Sequence, residues 1–536
     1  MRQREVRAPE AGVLCSILIL LAAALALQAS RLGLTVDEPG HLVSAHLYWL
    51  GADSLLPGDM PPLIQIVGGW PSLFFDPPVP RDNAELWNTR QESPIGSEML
   101  MRMSDTPGLV ERYVFASRLP LLVFPLLTAA LVWWWGRWLF APWVGVLAAA
   151  LFALEPTAAG HGSLFKNDLA ATCTYLFFWY RAWRFWREPA CERALRWMGV
   201  ALGIALLSKL SMAVLIPIGP AIAIARRSTS PRAALGAAGS VLAAAYAILA
   251  VAYQSIWPAA YWRGLVSIWH SNADGGGVYL WGRVLDAGHP LYFPAALAVK
   301  IPVPLQLLLL IGAIAIARRW VRPIQSADWL WLFPPALYIG FASMSNLQLG
   351  VRLILPALPF GLLIAGAAVA WLLRTPARMA ALAAMLLWMA GVSAGVYPFG
   401  ISFFNAWAGG PAHALDFLAD SNVDWGQGLP ALARFTRQHG IAKIRLSYFG
   451  LDNPWRFFRE EEIEFIPPPW EPSMARGAVW EPDAGYYAIS ASLLPGFLFQ
   501  PPYRGYYAYF RDREPLARVA HSIYVYRVGA VEVSAR

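Results

Sequence analysis

The chain has 536 residues, of which 57% are hydrophobic and only 14% charged, and its mean hydropathy is +0.45. Because charged residues make up about a quarter of an ordinary soluble domain, this composition excludes such a domain and predicts an integral membrane protein with some structure outside the bilayer. The net charge of +8 is compatible with nucleic-acid binding, but the positions of the basic residues argue for a different cause.

The N-terminal part carries an apolar stretch, "AGVLCSILILLAAALALQAS" (11–30), which is long enough to cross a bilayer. Cys15 lies near the start of this stretch and not after it, so we predict an uncleaved membrane anchor. A signal peptide cleaved near "LQAS" is the alternative. The other two cysteines, Cys173 and Cys191, show no metal-ligand spacing.

Apolar runs of spanning length recur along the chain and predict about eleven transmembrane helices. The predicted spans are 12–30, 119–139, 142–159, 168–186, 196–208, 211–225, 233–255, 302–317, 328–344, 353–373 and 379–398.

Arginine clusters fall on alternate connections between these spans, which places all of them on one side of the membrane. They are Arg2, Arg4 and Arg7, then "RAWRFWREPACERALR" (181–196), "ARRSTSPR" (225–232), "ARRWVR" (317–322) and "RTPAR" (374–378). The positive-inside rule makes that side cytoplasmic. We therefore expect a multi-pass protein of the inner (plasma) membrane with a cytoplasmic N-terminus, and the basic charge needs no nucleic acid.

The opposite, extracytoplasmic side then holds a long first loop (31–118) and the C-terminal segment. This segment reads as a small α/β domain, with a helix at 428–440 and strands at 443–450, 485–492 and 519–528. The predicted fold is thus a mainly α, polytopic helical bundle (1–398) followed by an extracytoplasmic α/β domain (399–536).

Only four lysines occur, and three of them lie at the extracytoplasmic ends of predicted spans: Lys166, Lys209 and Lys300. Arg118 and Arg352 share that boundary. Each alone is compatible with snorkelling to headgroup water. Five cations at one level favour an anionic ligand, since one cation at ~4 Å stabilises a unit negative charge by roughly 4 kcal/mol at an effective dielectric near 20. A lipid phosphate is the natural ligand at this depth.

Carboxylates meet the same boundary. Asp37 and Glu38 follow the first span in "TVDEPGH" (35–41), and Asp168 opens the fourth. They are either helix caps or the base of a group transfer from a lipid-linked donor, in which the cations meet the departing phosphate. No nucleotide-binding motif is present.

Three histidines, His41, His46 and His161, lie in the same zone. Their spacing does not specify a metal site. They are either polar residues at the membrane interface or ligands of a metal site. No cofactor is therefore certain, and a divalent metal is left open.

At these residues the chain resembles the GT-C glycosyltransferases that use polyprenyl-phosphate sugars, especially protein O-mannosyltransferases of family 39 and bacterial aminoarabinose transferases. The resemblance covers about 1–400. It is carried by Asp37-Glu38, "GDMPPLIQ" (58–65), "ERYVFASRLPLLVFPLLTAAL" (111–131), "EPTAAGHGSLFKNDLAAT" (155–172), Lys209 and "VRLILPALPF" (351–360).

The resemblance implies an inverting glycosyltransferase with Asp37 as catalytic base. Glu38 is implied to support it or to help bind metal or acceptor, and Asp168 is implied to have a supporting role. The implied donor-phosphate ligands are Lys166, Lys209, Lys300, Arg118 and Arg352. His41 and His161 are candidate substrate-binding residues.

The C-terminal stretch "FFNAWAGGPAHALDFLADSNVDWGQGLPALARF" (403–435) departs from the eukaryotic enzymes and resembles poorly characterised bacterial members. Its polar and aromatic residues Asp420, Asn422, Asp424 and Trp425 either contact sugar or form turns before a helix. The expected partners are a polyprenyl-phosphate sugar, membrane lipid and an extracytoplasmic acceptor that is a protein, a lipid or a glycan. The sugar itself is not specified.

Two other classes stay open: a transporter or flippase of a lipid-linked saccharide, and a non-catalytic GT-C-like protein of envelope assembly. A transport site is expected near the bilayer midplane on broken helices. The acidic residues gather at one face instead, which favours the transferase.

Overall fold

The computed structural model describes residues 8–51, 60–227, 230–475 and 477–529. The predicted basic cluster at Arg2, Arg4 and Arg7 and the first two residues of the Pro-Pro element (58–59) lie outside these ranges. The described chain is mainly helical, with a five-stranded sheet in its C-terminal part. The predicted fold class is confirmed.

The apolar N-terminal stretch forms one long helix, and the predicted first loop folds into short helices beside it. The first helix is α1 (Ala8–Ala29), and the loop contains α2 (Glu38–Trp49), α3 (Leu63–Gly68), α4 (Ser72–Phe75), α5 (Ala84–Asn88) and α6 (Glu92–Met103). Pro39 in the first turn of α2 suits a helix start, because its missing N–H would have no intrahelical partner there.

All eleven predicted spans fall on helical elements. The remaining helices of this part are α7 (Leu109–Leu121), α8 (Val123–Leu139), α9 (Pro142–Ala153), α10 (Pro156–Gly162), α11 (Asp168–Arg187), α12 (Glu192–Leu206), α13 (Leu215–Arg226), α14 (Pro231–Ala252), α15 (Ala259–Asp274), α16 (Tyr292–Lys300), α17 (Val303–Ala317), α18 (Trp329–Ser343), α19 (Leu358–Leu372) and α20 (Pro376–Val396).

Within the described ranges, five helical segments are long and apolar enough to cross a membrane, and up to seven if each of two bent pairs counts as one span. The other predicted spans form shorter or more polar helices, so the count of eleven stays a prediction. The protein is a multi-pass membrane protein.

The two bent pairs occur where proline interrupts an apolar run. The chain bends by 66° between α9 and α10 and by 112° between α16 and α17. Glu155 caps α10, because its side chain accepts a hydrogen bond from the backbone N–H of Ala158. Gly160 lets α10 lie directly against the later chain, since a Cβ there would be 2.5 Å from the backbone N of Ile401. These breaks place polar residues in the interior of the bundle.

The C-terminal part contains α21 (Leu429–Gln438), α22 (Ala508–Arg511) and the strands β3 (Ile444–Ser447), β4 (Ile463–Phe465), β5 (Gly485–Ser490), β6 (Ala517–Val519) and β7 (Ile523–Val528). The sheet order is β4-β3-β5-β7-β6, with β3 parallel to β4 and β5 and the other pairs antiparallel. The predicted helix and three strands coincide with α21, β3, β5 and β7. The edge strands β4 and β6, three residues each, were not predicted.

A short hairpin of β1 (Val278–Leu280) and β2 (Arg283–Leu285) precedes α16 and was also not predicted. The division of the chain at residue 399 stays a prediction.

The C-terminal part is hydrogen-bonded to the chain that follows α1. Gly33 N donates to Gln427 O and Val36 N to Trp425 O, each over 3.0 Å. Leu34 N donates to the carboxylate of Asp452 over 3.1 Å. The chain around Trp425 is therefore held beside the entry to α2, where the predicted carboxylates lie.

Candidate active site

A buried ion pair fixes the turn that carries the first two candidate carboxylates. Arg118 on α7 donates to both oxygens of Glu38, over 2.8 and 2.6 Å, and the two side chains are 1% and 0% exposed. Arg118 uses its other N–H groups on the backbone oxygens of Ala29, Leu32 and Gly33.

Glu38 also accepts hydrogen bonds from backbone groups on both sides of the turn. The N–H of Thr35 reaches it over 2.8 Å and the N–H of Phe165 over 2.7 Å. Burial works to raise the pKa of Glu38, but Arg118 and these N–H groups outweigh it, so the pKa lies below its ordinary value. Glu38 and Arg118 thus join the end of α1, the start of α2 and the loop before α11, and keep no free atom for a ligand.

Asp37 occupies the N-cap position of α2 but makes no capping hydrogen bond with its side chain. Its Oδ2 instead pairs with Lys166 Nζ over 2.5 Å and lies 3.8 Å from a terminal nitrogen of Arg352. A third of the Asp37 side chain is exposed, against 3% of that of Lys166. Asp37 is therefore the accessible carboxylate of this region, and its side chain is not a helix cap.

Burial works to raise the pKa of Asp37, but Lys166 and Arg352 outweigh it, so the pKa lies below its ordinary value. Burial and Lys166 lower the pKa of His41 to about 3, which keeps this imidazole neutral. Its Nε2 can then accept a hydrogen bond from Lys166 over 2.8 Å. Lys166 is thus held between an anionic carboxylate and a neutral acceptor.

Asp168 is the first residue of α11 and is fully buried. Its Oδ1 pairs with Lys209 Nζ over 2.6 Å. Its Oδ2 lies 3.9 Å from a terminal nitrogen of Arg352 and has no hydrogen-bond partner among the described residues. Lys209 comes directly before a 3₁₀ helix (Leu210–Val214), so the end of the α12 segment delivers this cation to the start of α11.

Arg352 joins the two carboxylates, because one of its terminal nitrogens lies within 4 Å of both. Its Nε donates to Ser421 Oγ over 3.1 Å, and its guanidinium lies 4.0 Å from the centre of the Trp425 ring. Within the described chain, no hydrogen bond involves its terminal nitrogens, which leaves them able to bind an anion.

We call the set Asp37, Asp168, Lys166, Lys209 and Arg352 the charged cluster. Its three cations exceed its two carboxylates by one charge. The residues that meet in it come from the α1–α2 turn, the start of α11 with the loop before it, the chain after α12 and the 3₁₀ helix Val351–Ala357 before α19. A cluster with excess positive charge inside a low-dielectric bundle is suited to an anionic ligand.

Lys300 is not brought into the charged cluster. It is buried, and its ammonium group donates to the backbone oxygens of Ile401 over 2.7 Å and Asn422 over 2.6 Å. Lys300 therefore ties the end of α16 to two segments of the later chain.

Among the C-terminal candidates, Trp425 packs its ring against the charged cluster. Its buried ring lies 4.8 Å from Lys166 Nζ and packs edge-on against His161, with 5.8 Å between the ring centres. The adjacent Asp424 is buried and accepts a hydrogen bond from Gly426 N, as in a turn. His46, by contrast, pairs with Ser72 on the first-loop helices.

Two further residues of the C-terminal stretch lie at the cluster. Asp420 is one of the acidic residues that the sequence offers as sugar contacts, whereas Ser421 was not predicted. Ser421 orients Arg352, and Asp420 interacts electrostatically with Arg352 and Asp37 while burial raises its pKa to about 6. Asp420 has a left-handed backbone conformation, with φ of +59°. The sequence signal for Ser421 was the polar run "DSNVDWGQG" (420–428) alone.

A cavity of about 150 Å³ is lined by residues of α16 to α19 and of the 3₁₀ helix that precedes α19, and no residue of the charged cluster lines it. Its lining includes Glu155 and Lys300, and most of the other lining residues are apolar, among them Leu305, Ile339 and Leu358. In the part of the chain that the structure describes, no group of three or more His, Cys, Asp and Glu side chains is arranged to hold a metal ion.

Comparisons with known proteins bear on this arrangement. Residues 109–257 match the family model described as dolichyl-phosphate-mannose-protein mannosyltransferase. The structure resembles ArnT from Cupriavidus metallidurans in the apo state, at 12% sequence identity, with a TM-score of 0.50 over 97% of this chain and 98% of that one.

Two other solved structures align less closely. ArnT bound to undecaprenyl phosphate gives 13% identity and a TM-score of 0.44 over 96% of this chain and 97% of that one. The oligosaccharyltransferase of Archaeoglobus fulgidus gives 13% identity and a TM-score of 0.41 over 69% of this chain and 52% of that one. A comparison with curated proteins found no match.

The chain is thus a multi-pass membrane protein with the GT-C fold, and the resemblance predicted from the sequence is confirmed. Within that class, the segment 109–257 is similar to protein mannosyltransferases. That segment includes Arg118, Lys166, Asp168 and Lys209.

We predict that Glu38→Gln strongly destabilises the protein, because it leaves the Arg118 charge buried without its anionic partner. Loss of one partner of a buried pair costs about 3–5 kcal/mol. The melting temperature of the purified protein measures the effect. The control is Glu98→Gln, which breaks a partly exposed pair with Arg102 and should change little. Equal melting temperatures for the two variants would show that the buried pair is dispensable.

We also predict a pH-dependent effect of Asp424→Asn. Burial raises the pKa of Asp424 to about 7, so its folded form favours the protonated state. The stability that this gives is complete below the unfolded pKa and is lost as the pH rises through about 7. Asparagine cannot ionise, and its oxygen can still accept the hydrogen bond from Gly426.

We measure the melting temperature of Asp424→Asn minus that of the wild type at each pH. This difference should increase by several degrees from pH 4 to pH 8, since each pKa unit corresponds to about 1.4 kcal/mol. The control, Asp512→Asn, changes an exposed carboxylate. A difference that is independent of pH would contradict the prediction.

Proposed function

We propose that the protein is a membrane glycosyltransferase that moves a sugar from a polyprenyl-phosphate donor to an acceptor. The observation that carries the proposal is the position of Asp37. It is an accessible carboxylate, held within 4 Å of Lys166 and Arg352. A base and a phosphate-binding group therefore lie close enough to act on one glycosidic bond.

In the proposed reaction the acceptor oxygen attacks the anomeric carbon of the donor sugar, and its proton passes to the Asp37 carboxylate. The bond between that carbon and the phosphate oxygen breaks, and the electron pair leaves with the lipid phosphate. Lys166, Lys209 and Arg352 stabilise the additional negative charge on the phosphate. A single displacement inverts the configuration at the anomeric carbon.

Donor binding would itself activate the base. In the free protein, Lys166 and Arg352 hold the pKa of Asp37 below its ordinary value. An anionic phosphate between the same two cations offsets part of their charge, which moves the pKa of Asp37 upward and makes it a better proton acceptor. The base would thus become effective mainly when a donor is bound.

The other carboxylates and cations take supporting roles in this proposal. Asp168 orients Lys209 and Arg352 toward the phosphate. Glu38, Arg118 and Lys300 are positioning residues, because their polar atoms are engaged within the protein. This differs from the sequence-based interpretation, in which Arg118 and Lys300 bind the phosphate and Glu38 assists the catalysis.

Two observations support a lipid-phosphate donor. The description of the matched family names dolichyl-phosphate mannose as a substrate. The mostly apolar cavity that Lys300 helps to line lies among the helices of the bundle and has the chemistry to hold part of an isoprenoid chain.

The arginine clusters support an inner-membrane location with a cytoplasmic N-terminus and an extracytoplasmic C-terminal region. The charged cluster is built from the ends of helices, including the N-cap of α2 and the first residue of α11. This placement favours transfer over transport of the lipid-linked saccharide. Mass spectrometry of envelope glycans with and without the gene would identify the sugar and the acceptor.

We predict that Asp37→Asn lowers the turnover by about 10²- to 10⁴-fold, the usual contribution of a general base. The folded protein should persist, and donor affinity should be equal or higher, because a negative charge beside Lys166 is removed. Transfer of labelled sugar from polyprenyl-phosphate donors measures the turnover. The control is Asp82→Asn, an exposed carboxylate of the first loop. Wild-type turnover in Asp37→Asn would refute its role as base.

Arg352→Ala should weaken the binding of undecaprenyl phosphate by at least about 10-fold, because it removes a cation that is worth several kcal/mol at ~4 Å before desolvation. Lys209→Ala should act in the same direction. Titration of the purified protein with this lipid measures both. The control, Arg513→Ala, removes a guanidinium that lies 3.7 Å from an aromatic ring centre outside the cluster. Unchanged affinity in Arg352→Ala would exclude the guanidinium as a phosphate ligand.

A further inference from the structure

His161 is a buried imidazole without a hydrogen bond to any described residue. Its side chain lies on α10 and the residue is 1% exposed, yet both ring nitrogens are without a partner. Buried polar groups are nearly always hydrogen-bonded, and each one left unsatisfied costs about 1–3 kcal/mol. An imidazole with two such nitrogens is therefore a candidate to contact a ligand.

The position of His161 links it to the charged cluster. Its ring packs against Trp425, which lies in turn against Arg352 and Lys166. Asp168 and Arg352 of the cluster both interact electrostatically with the imidazole. Asp168 Oδ2 is itself a buried acceptor without a hydrogen-bond partner among the described residues.

The backbone on both sides of His161 is fixed. The amide of Gln28, on α1, donates to Ala159 O over 3.0 Å and to Ser163 Oγ over 2.9 Å. On the other face, Gly160 lies directly against Ile401, where even a methyl group would clash. The backbone that carries the ring is thus held in place before any ligand arrives, and the ligand does not need to order it.

The chemistry of these groups points to a hydroxyl ligand. A neutral imidazole has one donor and one acceptor nitrogen, which matches the donor and acceptor capacity of a hydroxyl group. Asp168 Oδ2 offers another acceptor. The phosphate of the donor has its own partners in Lys166, Lys209 and Arg352. The group attached to that phosphate, a sugar, carries the hydroxyls.

We propose that His161 and Asp168 Oδ2 form the binding site for the transferred sugar, with hydrogen bonds to its hydroxyl groups. This inference rests on the proposed function, since it places the sugar beside the phosphate site. It makes His161 the residue that distinguishes a sugar-bearing lipid phosphate from the bare lipid phosphate.

The test compares two affinities of the full-length protein in lipid nanodiscs. One probe is undecaprenyl phosphate. The other is the member of a panel of undecaprenyl-phosphate sugars, carrying mannose, galacturonic acid or aminoarabinose, that the wild type binds most tightly. The affinity for the sugar-bearing lipid divided by the affinity for undecaprenyl phosphate isolates the contribution of the sugar.

In His161→Phe this ratio should fall by about 10- to 100-fold, while the affinity for bare undecaprenyl phosphate stays within about two-fold, since one well-placed hydrogen-bonding site contributes a few kcal/mol. His161→Ala should give the same result and serves if the phenylalanine variant does not fold. His161→Asn keeps a donor and an acceptor and should retain part of the ratio. The control, His46→Asn, changes a buried histidine that pairs with Ser72 and should leave both affinities unchanged.

An unchanged ratio in His161→Phe and His161→Ala would overturn the inference, as would an equal loss of both affinities. A wild type that binds the bare lipid as tightly as every sugar-bearing lipid would also overturn it and leave the phosphate site intact. A wild type that binds none of the lipids would contradict the proposed function, and the sugar site with it.

Discussion

The buried pair of Glu38 and Arg118 is the contact on which the arrangement of the site depends. Two charges inside a helical bundle are stable only when they are paired and their remaining hydrogen-bonding capacity is satisfied. Here the carboxylate accepts from two backbone N–H groups as well as from the guanidinium, which also serves three backbone oxygens. The pair and the backbone groups bonded to it belong to the α1–α2 turn, α7 and the loop before α11. The pair therefore fixes both Asp37 and Lys166, which are the chain neighbours of Glu38 and Phe165.

The charged cluster beside this pair alternates in sign, so each cation faces a carboxylate in the free protein. Such an arrangement keeps cations in a low-dielectric interior without a large net charge. The single excess positive charge and the free terminal nitrogens of Arg352 leave it ready for an anion. The C-terminal region is part of this balance, because Trp425 lies against Arg352 and Lys166 and Ser421 orients Arg352.

The family match and the geometry describe different parts of the site. Residues 109–257 contain the start of α11 and Lys209, whereas Asp37 precedes that segment and Arg352 and Trp425 follow it. The site is thus assembled from three separate parts of the chain. The likeness to ArnT extends over nearly the full length, which places all three parts within one fold.

The helical, membrane-embedded character of the fold could be predicted from the sequence, because bilayer-spanning helices are set by local apolar runs. The cations and carboxylates at the helix ends could be located from the sequence for the same reason. The groups with which they pair could not be predicted from it. Arg118 and Arg352 have the same side chain at the same predicted boundary. Arg118 donates its hydrogen bonds to Glu38 and backbone oxygens, whereas the terminal nitrogens of Arg352 stay available. Hydrogen-bond saturation depends on groups that are distant in the chain, such as Phe165 for Glu38 or Ser421 for Arg352. Only the tertiary structure decides which charged groups remain available for a ligand.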